Sequence, residues 1–72
     1  MNLNRNLTYF YELVDHYIKN GLRKGQSYYN AMYIVYPYIA KKYVNTKYDP
    51  YFDDNKVKIF MEKCFNEILK EN

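Results

Sequence analysis

Few residues in this 72-residue chain have the type and spacing to do chemistry. His16 follows Asp15, and a histidine beside a carboxylate is the beginning of a general base. No nucleophile and no second ligand is spaced to join it, so it reads as a helix-end residue rather than a catalytic one. Cys64 is the single thiol, and a reactive thiol needs exposure and cationic neighbours. Lys63 adjoins it but projects from another side of a helix, while Cys64 itself falls on an apolar stripe, the place of a small buried hydrophobe. Asp49, Asp53 and Asp54 suggest calcium, yet a calcium loop requires a turn glycine and a closing bidentate glutamate. The glycine is missing and Cys64 stands where the glutamate belongs. Helix capping accounts for these carboxylates better. The expectation is a protein that is not an enzyme and holds no metal or cofactor.

Gln26, Asn30 and Asp49 are polar residues set beside apolar segments. Read functionally, they form a recognition site where a second helix begins and an aromatic loop returns. Read structurally, Gln26 helps the helix start, Asn30 ties down the Asp49-Pro50 loop, and Asp49 accepts backbone donors. The structural reading is preferred.

The elements that must position these residues follow from apolar spacing. Leu3, Leu7, Phe10, Val14 and Tyr17 recur at helical intervals, with Leu13 and Ile18 widening the stripe, and predict a helix over 4–20 capped by Asn6 or Thr8. Asn20-Gly21 closes it, with Gly21 in the left-handed position and Leu22 folding back. Ser27 is read as the cap of a second helix over 27–36, and Gly25 as the restart before it. Pro37 breaks that helix and opens a short third one over 37–44, with Ile39, Ala40 and Tyr43 facing inward. Asn45 to Phe52 is an aromatic loop, pinned by Tyr48, Tyr51 and Phe52. Asp53, Asp54 or Asn55 then caps a last helix over 54–70, whose stripe is Val57, Phe60, Met61, Cys64, Phe65, Ile68 and Leu69. The predicted core is Phe10, Val14, Tyr17, Met32, Val35, Ile39, Phe60, Cys64 and Ile68. No segment reads as a strand.

One domain covering residues 1–72 fits this length, close to the lower limit for a fold without disulfides or metal. One cysteine cannot form an intrachain bridge, which fits a reducing compartment. Met1 to Asn20 lacks an apolar leader core and no stretch is long and apolar enough to span a bilayer, so a soluble cytoplasmic protein is expected, with no membrane partner. The net charge of +3 permits nucleic-acid binding without arguing for it.

Eleven tyrosines and four phenylalanines make fifteen of the 72 residues aromatic. A domain this small cannot bury them all. A surface tyrosine offers contact area at low rotamer entropy and keeps a hydroxyl for hydrogen bonds. Coding bias from an AT-rich source is the alternative explanation of the excess.

Gly25-Gln26-Ser27-Tyr28-Tyr29-Asn30-Ala31-Met32, then Pro37 and Ile39-Ala40, then Asn45-Thr46-Lys47-Tyr48-Asp49-Pro50-Tyr51-Phe52-Asp53-Asp54 resemble a family of small bacterial and phage proteins. Its pattern is G-Q-x-x-[FY]-N-A, a proline, an L-A pair, and T-x-x-D-P-[FY]-[FY]-x-D before a final helix. The resemblance covers about residues 22 to 65. Met32, Ile39 and Asn45 depart from it, Asn45 replacing a glycine at what is then a left-handed position. The resemblance singles out Gln26, Asn30, Asp49 and Pro50 and implies no mechanism.

Together these readings predict an all-α fold, a compact bundle of three to four short helices. Its expected role is a non-enzymatic interaction module, an accessory or inhibitor protein of the phage or mobile-element type. It would dock a protein partner, or a second copy of itself, through Tyr29, Tyr33, Tyr36, Gln26, Arg23, Tyr48 and Tyr51. The alternative is nucleic-acid binding by tyrosine stacking with Arg23, Lys24 and Lys41 along the backbone. A helix-turn-helix built on the second and third helices, with Lys41, Lys42 and Lys47 on phosphates, is less favoured because the turn lacks its glycine.

Overall fold

In the computed structural model, which describes residues 3–71, α1 spans Leu3–Lys19 and buries Phe10 and Val14. Leu3, Leu13 and Tyr17 pack beside them. The helix therefore begins ahead of both expected caps. Leu3 lies on the apolar stripe, and packing carries the helix past Asn6, whose side-chain amide instead donates to the Tyr36 hydroxyl at 3.1 Å. Ile18 is left 45 % exposed. The end follows the sequence closely. Gly21 has φ of +94°, the Leu22 amide donates to the Tyr17 carbonyl at 3.1 Å, and the Gly21 amide to the Ile18 carbonyl at 3.0 Å. That is a Schellman motif, which satisfies the last carbonyls of the helix.

α2 spans Lys24–Val35, earlier than the Ser27 cap predicts. Arg23 holds the cap position in extended geometry, and the Gln26 side chain accepts the Arg23 amide at 3.4 Å. Ser27 lies one turn inside, fully buried, its hydroxyl donating back to the Arg23 carbonyl at 2.8 Å. The reason for the early start is remote in sequence. Asp54 accepts the Gly25 amide at 2.8 Å, so a carboxylate from the far loop satisfies a first-turn donor and meets the positive end of the helix. Gly25 is buried in α2 rather than restarting the chain ahead of it.

Tyr36, at φ −135° and ψ 69°, leaves helical geometry, and Pro37 opens α3, Pro37–Tyr43, as expected of a proline at a first helical position. Ile39 and Ala40 are buried. Asn45 takes φ of +60°, the left-handed conformation that asparagine tolerates better than most residues. One 3₁₀ turn, Asp54–Lys56, leads into α4, Val57–Glu71. Asp53 caps that turn by accepting the Asn55 amide at 3.0 Å, which leaves Asp54 free for α2. α4 buries Val57, Phe60, Met61, Cys64 and Ile68. Leu69 drops out of the expected stripe at 62 % exposure although its neighbour Ile68 is fully buried, because it projects about 100° round the helix from Ile68.

α2 lies at the centre, packed against α1, α3 and α4. Ala31 and Ala40, both fully buried, allow those helices to approach closely. Tyr17 and Val35, predicted for the core, are only half-buried and pack against its edge. The Cα envelope measures 31 × 25 × 16 Å, and its thin dimension is close to that of two packed helix layers, with axes about 8–10 Å apart and Cα cylinders about 4.6 Å across. Only Phe10 and Phe60 among the fifteen rings are fully enclosed. Among the described residues there is no strand, and no helix is long and apolar enough to cross a membrane.

Gly25 carries the sharpest steric demand. A Cβ there would overlap the Pro50 carbonyl oxygen and lie 2.9 Å from Asp54 Oδ1. Gly25→Ala is expected to lower unfolding stability by about 1–3 kcal/mol, the usual effect of overpacking a closed contact. Urea denaturation beside the wild type measures it, and superimposable curves would contradict the contact.

Candidate functional site

Two regions contain the residues that the sequence marks for binding. The first is a clasp between the start of α2 and the loop that follows α3. Arg23 Nη2 donates to the Tyr51 carbonyl at 2.6 Å, and its Nε lies 3.8 Å from Asp54 Oδ1. Asp49 accepts the Asn45 amide at 2.7 Å and the Tyr51 amide at 2.9 Å, so both its oxygens hold the loop's own backbone. Asn30 is not one of its partners. Pro50 is fully buried under α2. Tyr48 lies between two ammonium groups, Lys63 Nζ at 4.8 Å and Lys47 Nζ at 5.3 Å from its ring centre, and meets Tyr43 edge-on at 5.8 Å. Tyr51 meets Tyr29 edge-on at 5.9 Å. Arg23, Tyr48 and Tyr51 are thus engaged in holding the loop to the helices, while Gln26 accepts the Arg23 amide at the start of α2. Phe52 takes no part in that. It is 80 % exposed, since Pro50 and Tyr51 already fill the inward side of the turn.

The second region is the elbow between α2 and α3. Tyr29 is half-buried, 6.1 Å from Phe60 and stacked on Tyr33 at 6.3 Å with an interplanar angle of 29°. Lys41 Nζ lies 5.7 Å from the centre of the Tyr33 ring. A continuous run therefore leads from the core ring Phe60 through Tyr29 to Tyr33 and a cation at the surface. Burial, then the Asp49 carboxylate and Tyr33, raises the Tyr29 hydroxyl above its ordinary pKa. Tyr36 turns inward and accepts from Asn6. Of the three tyrosines expected to make one outer face, only Tyr33 is exposed. The exposed apolar surface here is instead Tyr33 at 42 %, Ile34 at 50 % and Tyr38 at 87 %, gathered about Pro37. An open hollow of about 240 Å³ is lined by Pro37, Tyr38 and Lys41.

Ile34 and Tyr38 were not among the residues the sequence singled out. Their signal is position: large apolar side chains on either side of a helix-breaking proline, where two helix ends diverge and neither covers the other. Tyr9 and Tyr11 are also exposed, on α1, but two residues apart on a helix they project from different sides, so the four exposed tyrosines do not form one face.

Of the residues considered for chemistry, Asp49 and Asp54 belong to the clasp as hydrogen-bond acceptors, while His16 and Cys64 take no part in either region. His16 is exposed at the end of α1, its carbonyl accepting from the Asn20 side chain at 2.7 Å. Cys64 is fully buried, and burial, followed by the nearby Glu67, pushes its thiol up to about 12. Among the described residues no three His, Cys, Asp or Glu side chains are grouped to hold a metal ion, and no buried side-chain nitrogen or oxygen is without a hydrogen-bond partner.

No protein-family model, no curated protein and no solved structure matches the chain. Function must be read from its own surfaces.

Cys64 supplies a direct check on the packing of α4. A thiol so enclosed and so far from its thiolate form should resist iodoacetamide in the native protein and react only as fast as the chain opens. Rapid native labelling at neutral pH would show that the core around α4 is open.

Proposed function

We propose that this protein is a non-enzymatic interaction module that docks a protein partner on the α2–α3 elbow. The supporting observation is the exposed cluster of Tyr33, Ile34 and Tyr38 about Pro37. Tyr33 is held by its stack on Tyr29 and by Lys41, so little rotamer freedom is left to lose on binding, and pre-ordered aromatic anchors of this kind carry most of the energy of an interface. The hollow beside Tyr38 gives a partner side chain somewhere to seat. In this reading the clasp positions the elbow and is not itself a contact surface. The buried, unbridged Cys64 suits a reducing compartment such as the cytoplasm. An accessory or inhibitor protein of the phage or mobile-element type is the role this reading proposes, and the motif resemblance to small bacterial and phage proteins is compatible with it while implying no mechanism.

The nucleic-acid alternative is weakened by the fate of the cations it needs. Arg23 is committed to Tyr51 and Asp54, and Lys42 pairs with Glu67 at 2.7 Å. That leaves Lys41 as the remaining lysine at the elbow, one cation beside Tyr33 and Tyr38 rather than the row of cations that tracks a phosphate backbone.

The double variant Tyr33→Ser, Tyr38→Ser tests this reading. It should keep the helicity of the wild type and weaken partner binding by at least about thirtyfold, the roughly 2 kcal/mol of a single aromatic anchor. Capture from host cells with wild-type and variant baits, after nuclease treatment, is the measurement. Binding that ignores the two substitutions, or that disappears with nuclease and modest salt, contradicts it.

A further inference from the structure

The charges along the chain are segregated. Residues 16–48 hold Lys19, Arg23, Lys24, Lys41, Lys42 and Lys47 and not one Asp or Glu. That stretch stands at +6 and the remainder at −3, which together make the chain's +3. α2 and α3, the two helices that build the elbow, lie wholly within it. Three of these cations meet carboxylates brought from elsewhere: Lys19 with Asp15, Arg23 with Asp54 and Lys42 with Glu67. Lys41 does not. Among the described residues it has no carboxylate partner, and its ammonium group lies over the Tyr33 ring at the rim of the hollow formed with Pro37 and Tyr38.

We infer that the elbow's partner is an acidic segment of another protein, an apolar side chain flanked by Asp or Glu, with the apolar group seated in the Pro37–Tyr38 hollow and a carboxylate on Lys41. This rests on the docking reading above and names its chemistry. The hollow, about 240 Å³, is several times the ~30 Å³ share of a water molecule, and it is bounded by a ring, a proline and an alkyl stem. Apolar contact there expels water from around the ammonium group, which strengthens its attraction for a carboxylate. No acidic side chain on α2 or α3 competes for it.

Other occupants fit less well. A symmetric contact between two copies would bring each elbow against its like and set Lys41 against a second cationic surface. A head-to-tail contact does not close and would build filaments. Single-stranded nucleic acid is tracked by a row of cations with flat rings between them, whereas this surface has the rings of Tyr33 and Tyr38 but one available lysine.

A random peptide library selected on the wild-type protein and counter-selected on Tyr38→Ser tests the inference. Tyr38 is 87 % exposed and Lys41 lies on the surface, so Tyr38→Ser and Lys41→Glu should both keep the wild-type melting curve. The expected peptides carry Leu, Ile or Phe flanked by Asp and Glu. Lys41→Glu should weaken them by about tenfold or more, the effect of reversing one charge at contact distance, with Lys41→Arg retaining them. Patch-dependent peptides that are neutral or basic would overturn the acidic assignment and leave the docking reading standing. Peptides that never distinguish the wild type from Tyr38→Ser would overturn both. Patch-dependent binding of a labelled single-stranded oligonucleotide, or concentration-dependent assembly of the chain abolished by Tyr38→Ser, would assign the surface to nucleic acid or to a second copy instead.

Discussion

The structure depends on one contact between segments distant in sequence: the start of α2 against the loop from Asp49 to Asp54. The first turn of any helix presents amide groups with no partner inside it. Here Asp54 answers one of them through the Gly25 amide, and Gln26 answers the Arg23 amide ahead of it. Arg23 returns the contact by donating to the Tyr51 carbonyl. The whole arrangement closes only because Gly25 has no Cβ to collide with the Pro50 carbonyl. With the loop fixed in this way, Tyr51 is set against Tyr29, Pro50 is buried, and the 3₁₀ turn delivers α4 to the core at the right place.

A second constraint is thickness. A bundle with a shortest Cα dimension of 16 Å has little space out of reach of water, and its tyrosines answer that geometry. None of the eleven is fully buried; seven are half-buried and four are exposed. A half-buried tyrosine places an apolar body against the core and leaves its hydroxyl to water or to a partner, as Tyr36 does with Asn6. Most of the tyrosine excess is thereby accounted for by the fold, and the exposed rings narrow to Tyr33 and Tyr38 at the elbow and to Tyr9 and Tyr11 on different sides of α1. At the elbow, the rings stand beside Ile34, a proline break and an uncommitted lysine.

Signals that act within a few residues were legible in the sequence. Asn20-Gly21-Leu22 specifies its own helix end and Pro37 its own break, because each depends on local backbone preference. The α4 stripe was read well up to Leu69, which projects about 100° round the helix from Ile68. The start of α2 was placed late because its partner, Asp54, lies 29 residues away, and a capping rule confined to neighbouring residues assigns that carboxylate to α4 alone. The outer face of α2 was misassigned between Tyr29, Tyr36 and Ile34 for a related reason. A central helix touched on several sides is apolar nearly all round, and no period then marks the side that remains open.

The account's central claim is that the clasp is a fixed part of the folded domain and that the elbow is presented from it as a prepared surface. Native-state hydrogen exchange of single amides tests this most directly. The Gly25 and Tyr51 amides, each held by an aspartate carboxylate, should be protected to within a small margin of Met32 and Cys64 in the core, opening only with the domain as a whole. Exchange of Gly25 and Tyr51 at rates typical of an unstructured loop, with Met32 and Cys64 still protected, would mean that the clasp opens independently and that nothing fixes the elbow it is said to support.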